Sequence, residues 1–220
     1  MNNRSLILIG GGGHAKVATD CATSADFTLL GFVDDSECPV LTEFGLTHLG
    51  PINTLVSVLE SFKSEKPEIL NAVGDNATRR ATTESVESQI RLATETGTRN
   101  CRGFAMVIHA SAVVSPSAAI GCGTLVGPNA TINAGASVGR GIIINSGAIV
   151  EHDCTISDFV HIAPGTVLGG GVTIGENTLL GLGARVLPGI SIGTNVVVGA
   201  GSVVCKNIAD GETVKGTPAS

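Results

Sequence analysis

From Val114 to Val204 an Ile, Leu or Val stands at every sixth position without a break, sixteen in succession. Glycine follows many of them, as in IGCGTL, VGPNAT, IGENTL, LGLGAR and VGAGSV. This is the hexapeptide signature of a parallel β-helix, in which each hexad is a short strand and a turn. The recurring aliphatic points into a narrow prism. The fourth residue after it, often Ala or Thr as at Ala118, Thr124, Ala130, Ala148 and Thr178, fills the remaining interior. Three hexads per coil stack residues 18 apart, giving roughly five coils.

Upstream the pattern changes. LILIG reads as a strand, GGGGHAKVATDCAT as a loop entering a helix, and TLLGFVDD as a second strand ending in two aspartates. INTLVSVLESFKSE gives a helix, EILNAVGDN a third strand, and RRATTESVESQIRLATETG an amphipathic helix before AMVIH enters the repeat. Alternating strands and helices imply a small parallel sheet. The expected organisation is an α/β domain over 1–106, resembling half of a Rossmann fold, followed by a β-helix domain over 107–220.

Composition narrows the function. The 220 residues carry a net charge of −6 with scattered Lys and Arg, and there is no Trp or Tyr. These features argue against nucleic acid as a partner. No run of 18 apolar residues is present to span a membrane, and LILIG is too short for a secretion signal. The six cysteines are widely spaced, which reads as reduced thiols in a cytoplasmic protein and gives no metal site.

Two constellations carry chemistry. Gly10-x-Gly12-x-x-Ala15 matches a dinucleotide fingerprint, with Asp34 nineteen residues beyond Ala15. A nicotinamide cofactor would normally require two such halves, and the N-terminal region supplies one. The chemistry common to both readings is a diphosphate at a helix N-terminus, with Asp34 and Asp35 available to a base or ribose. The second constellation is VEHDCTISDFVHIAPG, residues 150–165. His152 falls at an outward or corner position of the repeat, in a column with Ala134 and Gly170 that leaves room beside the imidazole. A pKa near 6.5 suits it as a general base, with Asp153 or Glu151 orienting the ring. His161 falls in the outward column Leu125, Ile143, His161, Leu179 and Val197, whose apolar side chains call for a cover, most simply a neighbouring subunit. A zinc site would need three convergent histidines, and His109 lies outside the repeat.

The glycine-rich start, the DD and GDN strand ends, and hexads containing VEHDC and FVHIAPG together resemble one family over nearly the whole chain. These are the nucleotide-sugar acetyltransferases of the sialic-acid O-acetyltransferase and bacillosamine/perosamine N-acetyltransferase type. The resemblance implies a left-handed β-helix, a homotrimer, and acetyl-CoA bound in the groove between adjacent helices. It implies His152 as base and Asp153 as its orienting acid. His161, Gly170, Leu182 and Ala200 would lie along the cofactor groove, and Gly12, Gly13, His14, Asp34, Asp35 and Gly74 would contact the nucleotide sugar. Asp75 stands where the family often has an amide, which touches base or phosphate contacts.

The implied activity is N-acetylation of a UDP- or GDP-linked 4-amino-sugar for surface glycan synthesis, without metal and without membrane insertion. Three rivals remain: a sialic-acid O-acetyltransferase, a non-catalytic nucleotide-binding trimeric scaffold, and a nicotinamide oxidoreductase.

Overall fold

The computed structural model describes residues 4–36, 39–93 and 103–220. Its first part is a parallel three-stranded sheet in the order β2-β1-β3, formed by β1 (Arg4–Ile9), β2 (Phe27–Val33) and β3 (Glu68–Asn71). The central strand is buried on both faces, as parallel sheets covered by helices are. Leu6, Leu8 and Leu70 pack on the small residues Ala15, Ala18 and Ala22 of α1 (Gly13–Ser24). Ile7, Ile9 and Ile69 meet Leu55 of α3 (Leu55–Ser61) and Val86 of α4 (Asn76–Ala93) on the other face. A short α2 (Pro39–Glu43), not expected from the sequence, lies between β2 and α3. Asp75 is the N-cap of α4, accepting hydrogen bonds from the Thr78 N–H at 2.8 Å and hydroxyl at 2.7 Å. Its carboxylate is held below the usual range by those bonds.

The second part is a parallel β-helix with the 18-residue coil of the left-handed class. Two-residue strands stack into sheets of seven, six and five strands, beginning at Val107–Ile108, Val113–Val114 and Ala119–Ile120. Every aliphatic of the hexad series from Val126 to Val204 is buried, and Cys154, Thr166 and Thr178 fill small interior positions with no exposure. The seven-stranded face makes about six coils, one more than the hexads counted. The extra strand, Thr213–Val214, was hidden because the last coil is short. Val198 pairs with Val214, and Ile192 bridges Ile208, each 16 residues on rather than 18. The tail then turns across the end: the Val203 N–H donates to the Gly216 carbonyl, the Ala219 N–H donates to the Val203 carbonyl, and Ala219 is buried.

The three faces differ outside. On the seven-stranded face Val107, Leu125 and Ile143 are buried, and the first two share a core with α1. The cover expected from a neighbouring subunit is therefore supplied there by the chain's own N-terminal part. Only Val197, at 40% exposure, stands clear at the far end. The five-stranded face presents exposed Ala119, Ser137, Thr155, Thr173 and Ser191. The six-stranded face presents Val113, Thr131, Ile149, Val167, Arg185 and Val203, a strip apolar but for Thr131 and Arg185 and partly or fully exposed along its length.

Among the described cysteines Cys21, Cys154 and Cys205 are free thiols, while Cys122 is disulfide-bonded. The sequence reading of uniformly reduced thiols is corrected at that residue. No helix of the described residues is long and apolar enough to cross a membrane.

Candidate active site

His152 stands at the corner between the six- and five-stranded faces, where the chain must reverse tightly. Asp153 takes the left-handed conformation there, φ 61°, and Gly171 does the same one coil on at φ 70°. Asp has a short polar side chain that tolerates this region. The turn brings Asp153 Oδ2 to 2.8 Å from His152 Nδ1. A carboxylate only accepts, so Nδ1 carries the proton and Nε2 is left with its lone pair. Asp153, not Glu151, is thus the orienting acid. Glu151 instead accepts the His152 backbone N–H at 3.2 Å. The bond and charge of Asp153 raise the imidazole pKa above its ordinary value, and the ring remains largely open to solvent.

Glycines make room for this pair. A Cβ placed on Gly170 would lie 2.6 Å from both Cε1 and Nε2 of His152. One placed on Gly135 would lie 2.6 Å from Asp153 Oδ1. The imidazole therefore rests on bare backbone from the coil above, and the carboxylate on bare backbone from the coil below.

A second centre lies where the sheet meets the β-helix. A cavity of about 630 Å³ is lined by all six residues expected to contact a nucleotide sugar: Gly12, Gly13, His14, Asp34, Asp35 and Gly74. Ser36, Ile52, Val73, Thr78 and Thr82 complete much of its wall. The N-terminus of α1 opens on it, with unpaired N–H groups and the positive end of the helix dipole. A Cβ on Gly12 or Gly13 would meet no protein atom within 4 Å, so the open space at that turn is available to a ligand. Asp34 is committed within the chain. Its oxygens accept from the Gly11 N–H at 2.7 Å and from the N–H and hydroxyl of Ser36 at 2.8 and 2.5 Å. Burial opposes its ionisation, but these bonds and His48 keep it below the ordinary carboxylate value. Asp35 gives one oxygen to the Ile52 N–H at 2.9 Å.

His161 lies on the seven-stranded face of the β-helix. Its ring lies under this cavity, 6.1 Å from the His14 ring between centroids. Nε2 meets the Asn145 amide nitrogen at 3.1 Å. Burial, helped by the Arg79 charge, pushes both His161 and His14 down to about 4, so both are neutral at physiological pH. His14 Nε2 is buried without a hydrogen-bond partner. Leu182, 58% exposed, and Ala200 stack at the corner between the seven- and six-stranded faces. That is the edge opposite Gly170 across the six-stranded face. Within one chain His161 lies on the seven-stranded face, Leu182 and Ala200 at its corner with the six-stranded face, and Gly170 at the next corner, whereas the groove expected from the resemblance runs between adjacent helices.

Sequence reasoning missed Arg79 and Asn76. Arg79 is 1% exposed, and the Asn76 amide nitrogen donates to the carbonyls of Asn177 at 3.2 Å and Thr178 at 3.1 Å. The available signal was the charged pair Arg79–Arg80, separated from GDN by two residues, which helical periodicity assigns to a solvated face.

The chain is similar to known proteins over nearly its whole length. Residues 5–86 match the PglD N-terminal domain, and residues 171–206 match the hexapeptide repeat of succinyl-transferase. PerB from Caulobacter crescentus, solved with CoA and GDP-perosamine, is 35% identical, with 98% of this chain and 96% of that one covered and a TM-score of 0.85. The acetyltransferase domain of PglB from Neisseria gonorrhoeae, solved with acetyl coenzyme A, is 36% identical over 99% of this chain and 98% of that one, with a TM-score of 0.82. WeeI from Acinetobacter baumannii, 22% identical over 99% of both chains at a TM-score of 0.76, shares the fold. No curated protein matches by sequence. With a glycine-turn cavity on a parallel sheet, a His-Asp corner on a hexapeptide β-helix, and such likeness along nearly its full length, the chain belongs to the hexapeptide-repeat nucleotide-sugar acetyltransferases of the perosamine N-acetyltransferase and PglB type.

Proposed function

We infer that the protein transfers an acetyl group from acetyl-CoA to the amine of a nucleoside-diphosphate-linked 4-amino-sugar, with His152 as general base. The observation that carries this reading is the His152–Asp153 pair, with its bond at 2.8 Å and its free Nε2 above the bare backbone of Gly170. Asp153 fixes the tautomer. His152 Nε2 takes the proton that the amine loses as its nitrogen bonds to the acetyl carbonyl carbon, and returns it to the departing thiolate. Cys154 is buried inside the coil with its pKa raised by burial, so acylation proceeds directly rather than through an enzyme thioester.

The nucleoside diphosphate occupies the cavity at Gly12, Gly13, His14, Asp34, Asp35 and Gly74. Its phosphates meet the N–H groups at the start of α1, and Asp35 faces the nucleoside while Asp34 holds the glycine turn.

The protein works as a homotrimer packed through the six-stranded face. Val113, Ile149, Val167 and Val203 form the apolar strip that association would bury. The edges flanking that strip carry Leu182 and Ala200 on one side and His152 and Gly170 on the other. Three-fold packing sets one subunit's Leu182–Ala200 edge against its neighbour's His152, which is the groove for the pantetheine arm. The product enters surface glycan synthesis, made in the cytoplasm where acetyl-CoA and nucleotide sugars are available.

Release of free thiol from acetyl-CoA, followed with a panel of UDP- and GDP-4-amino-sugars and with free sialic acid, tests the reading. Turnover with one nucleotide sugar, lost by about 10²-fold or more in His152→Ala, is expected. Turnover of sialic acid alone would replace the reading with O-acetylation.

A further inference from the structure

Arg79 is the most fully buried cation among the described residues, and no carboxylate meets it. Its Nε donates to the Gly141 carbonyl at 2.8 Å. One terminal nitrogen donates to the Val73 and Gly74 carbonyls at 3.2 and 3.0 Å. The other donates to Asn76 Oδ1 at 3.0 Å and to the Phe159 and Val160 carbonyls at 2.9 and 3.4 Å. Asp75, the nearest acid, is turned to Thr78 and acts on Arg79 only through its charge. Such a group is costly to bury, and an apolar side chain would fill the space at lower cost if packing were all that mattered. What the planar fork adds is direction: it holds several acceptors at fixed angles at once.

Those acceptors come from two separate parts of the molecule. Val73 and Gly74 form a wall of the nucleotide cavity. Gly141, Phe159 and Val160 belong to β-helix coils, and His161 follows directly. The Gly74 carbonyl accepts from Arg79, and Gly74 packs beside His14, whose ring lies 6.1 Å from that of His161. Phe159 shows how tightly the coil side is held. It is 1% exposed in the left-handed conformation at φ 57°, where its column neighbours are Gly141, Asn177 and Asn195. A bulky residue there persists only when its surroundings over-determine it. Its ring packs on Gly141, with the Arg140 guanidinium 5.1 Å from its centroid.

We propose that Arg79 is a positioning residue for acetyl transfer: it locks the Val73–Gly74 wall of the nucleotide cavity to the β-helix coil leading to His161, and so sets where the diphosphate-linked sugar presents its amine. The proposal rests on the nucleotide-sugar reading above. Arg79 touches no reacting atom, and its effect reaches the chemistry through the fixed distance between two binding centres. Misplacement by about 1 Å in such an arrangement costs on the order of 10²-fold in rate.

The test compares Arg79→Lys and Arg79→Met with wild type on two acceptors: the nucleotide-linked amino-sugar and the same amino-sugar as a simple methyl glycoside. Melting temperature and the KM for acetyl-CoA are measured alongside. Arg79→Lys keeps the charge but cannot span the carbonyls, and Arg79→Met keeps much of the volume without the charge. The expected result is a loss of about 10-fold or more in kcat/KM for the nucleotide-linked acceptor in both variants, with the methyl glycoside and the KM for acetyl-CoA unchanged. Equal losses on both acceptors tracking a lower melting temperature would reduce Arg79 to a structural part and overturn the proposal, as would no loss in either variant. Should Arg79→Met not fold, the Arg79→Lys comparison decides alone. Wild type that ignores every nucleotide-linked amine would instead overturn the functional reading, a failure visible before any variant is made.

Discussion

Gly170→Ala isolates the base from the rest of the fold. Gly170 is not in the left-handed region, so its backbone accepts alanine without strain. The three atoms nearest the new methyl all belong to His152: Cε1 and Nε2 at 2.6 Å and Cδ2 at 3.3 Å. Contacts under 3.0 Å cannot be held, and the backbone on both sides is tied into the ladder, with the Gly189 N–H donating to the Gly170 carbonyl at 2.9 Å. The ring must therefore swing away, which breaks its bond to Asp153. Leaving a good rotamer costs about 0.5–1.5 kcal/mol. Removing a glycine from the unfolded chain returns about 0.4–1 kcal/mol. The two nearly cancel, so the melting temperature should move by no more than about 2–4 °C. The rate should not survive: a misdirected base forfeits much of the 10²–10⁴-fold that proton transfer supplies, and kcat should fall by about 10²-fold. Gly211→Ala is the matching control. Gly211 lies at φ 74° with no atom within 4 Å of a new Cβ. That variant should lose about 1–2 kcal/mol of stability to left-handed strain while keeping its kcat. Calorimetry with thiol-release kinetics on both variants reads the contrast, and a Gly170→Ala enzyme of full kcat would refute the reasoning.

Other outcomes follow from the same geometry. His152 must be neutral to accept a proton, and Asp153 raises its pKa, so activity should appear as pH rises through a value above 6.5; Asp153→Asn should move that limb to lower pH and lower the plateau, and an unmoved limb would reject the pairing. His14 and His161 have folded pKa values near 4 against an ordinary 6.5. The unfolded state thus binds more protons in that window, and stability should fall as pH drops from about 6.5 to 4, by on the order of 1.4 kcal/mol per pH unit for each ring. Urea titrations at pH 7 and 5 measure this, and equal midpoints would contradict it. Ile149→Glu on the apolar six-stranded face should leave the melting of the coil little changed but yield monomers in light scattering with activity lost; active trimers would place the interface elsewhere.

The β-helix was legible because its geometry repeats: from Val126 to Val204 each aliphatic of the hexad phase is buried. Legibility failed where a constraint crossed that period. The corner after Val204 is two residues short, so Ile208 and Val214 fell out of phase although they continue the core. Leu125 and Ile143 looked like an intersubunit surface because periodicity says which side chains point outward but not what docks on them; α1 does so for Leu125. Asp75 looked able to affect base or phosphate contacts, yet Thr78 stands three positions on and Asp75 caps a helix. The His152–Asp153 pair was readable because adjacent residues at a fixed corner leave few alternatives. The surroundings of His161 were not, since Asn145 and the His14 ring come from two different parts of the chain. The same holds for Arg79, whose burial depends on carbonyls more than sixty residues away.

The short last coil has a bearing on solubility. A β-helix is a stack of strands whose outermost rung offers unsatisfied N–H and C=O groups, a template on which another chain could continue the stack. Here the final turn draws inward by two residues, and Gly216 and Ala219 pair with Val203, so the last strand of the six-stranded sheet has its donor and acceptor engaged within the molecule. The coil that breaks the repeat is therefore the one that covers part of its own edge.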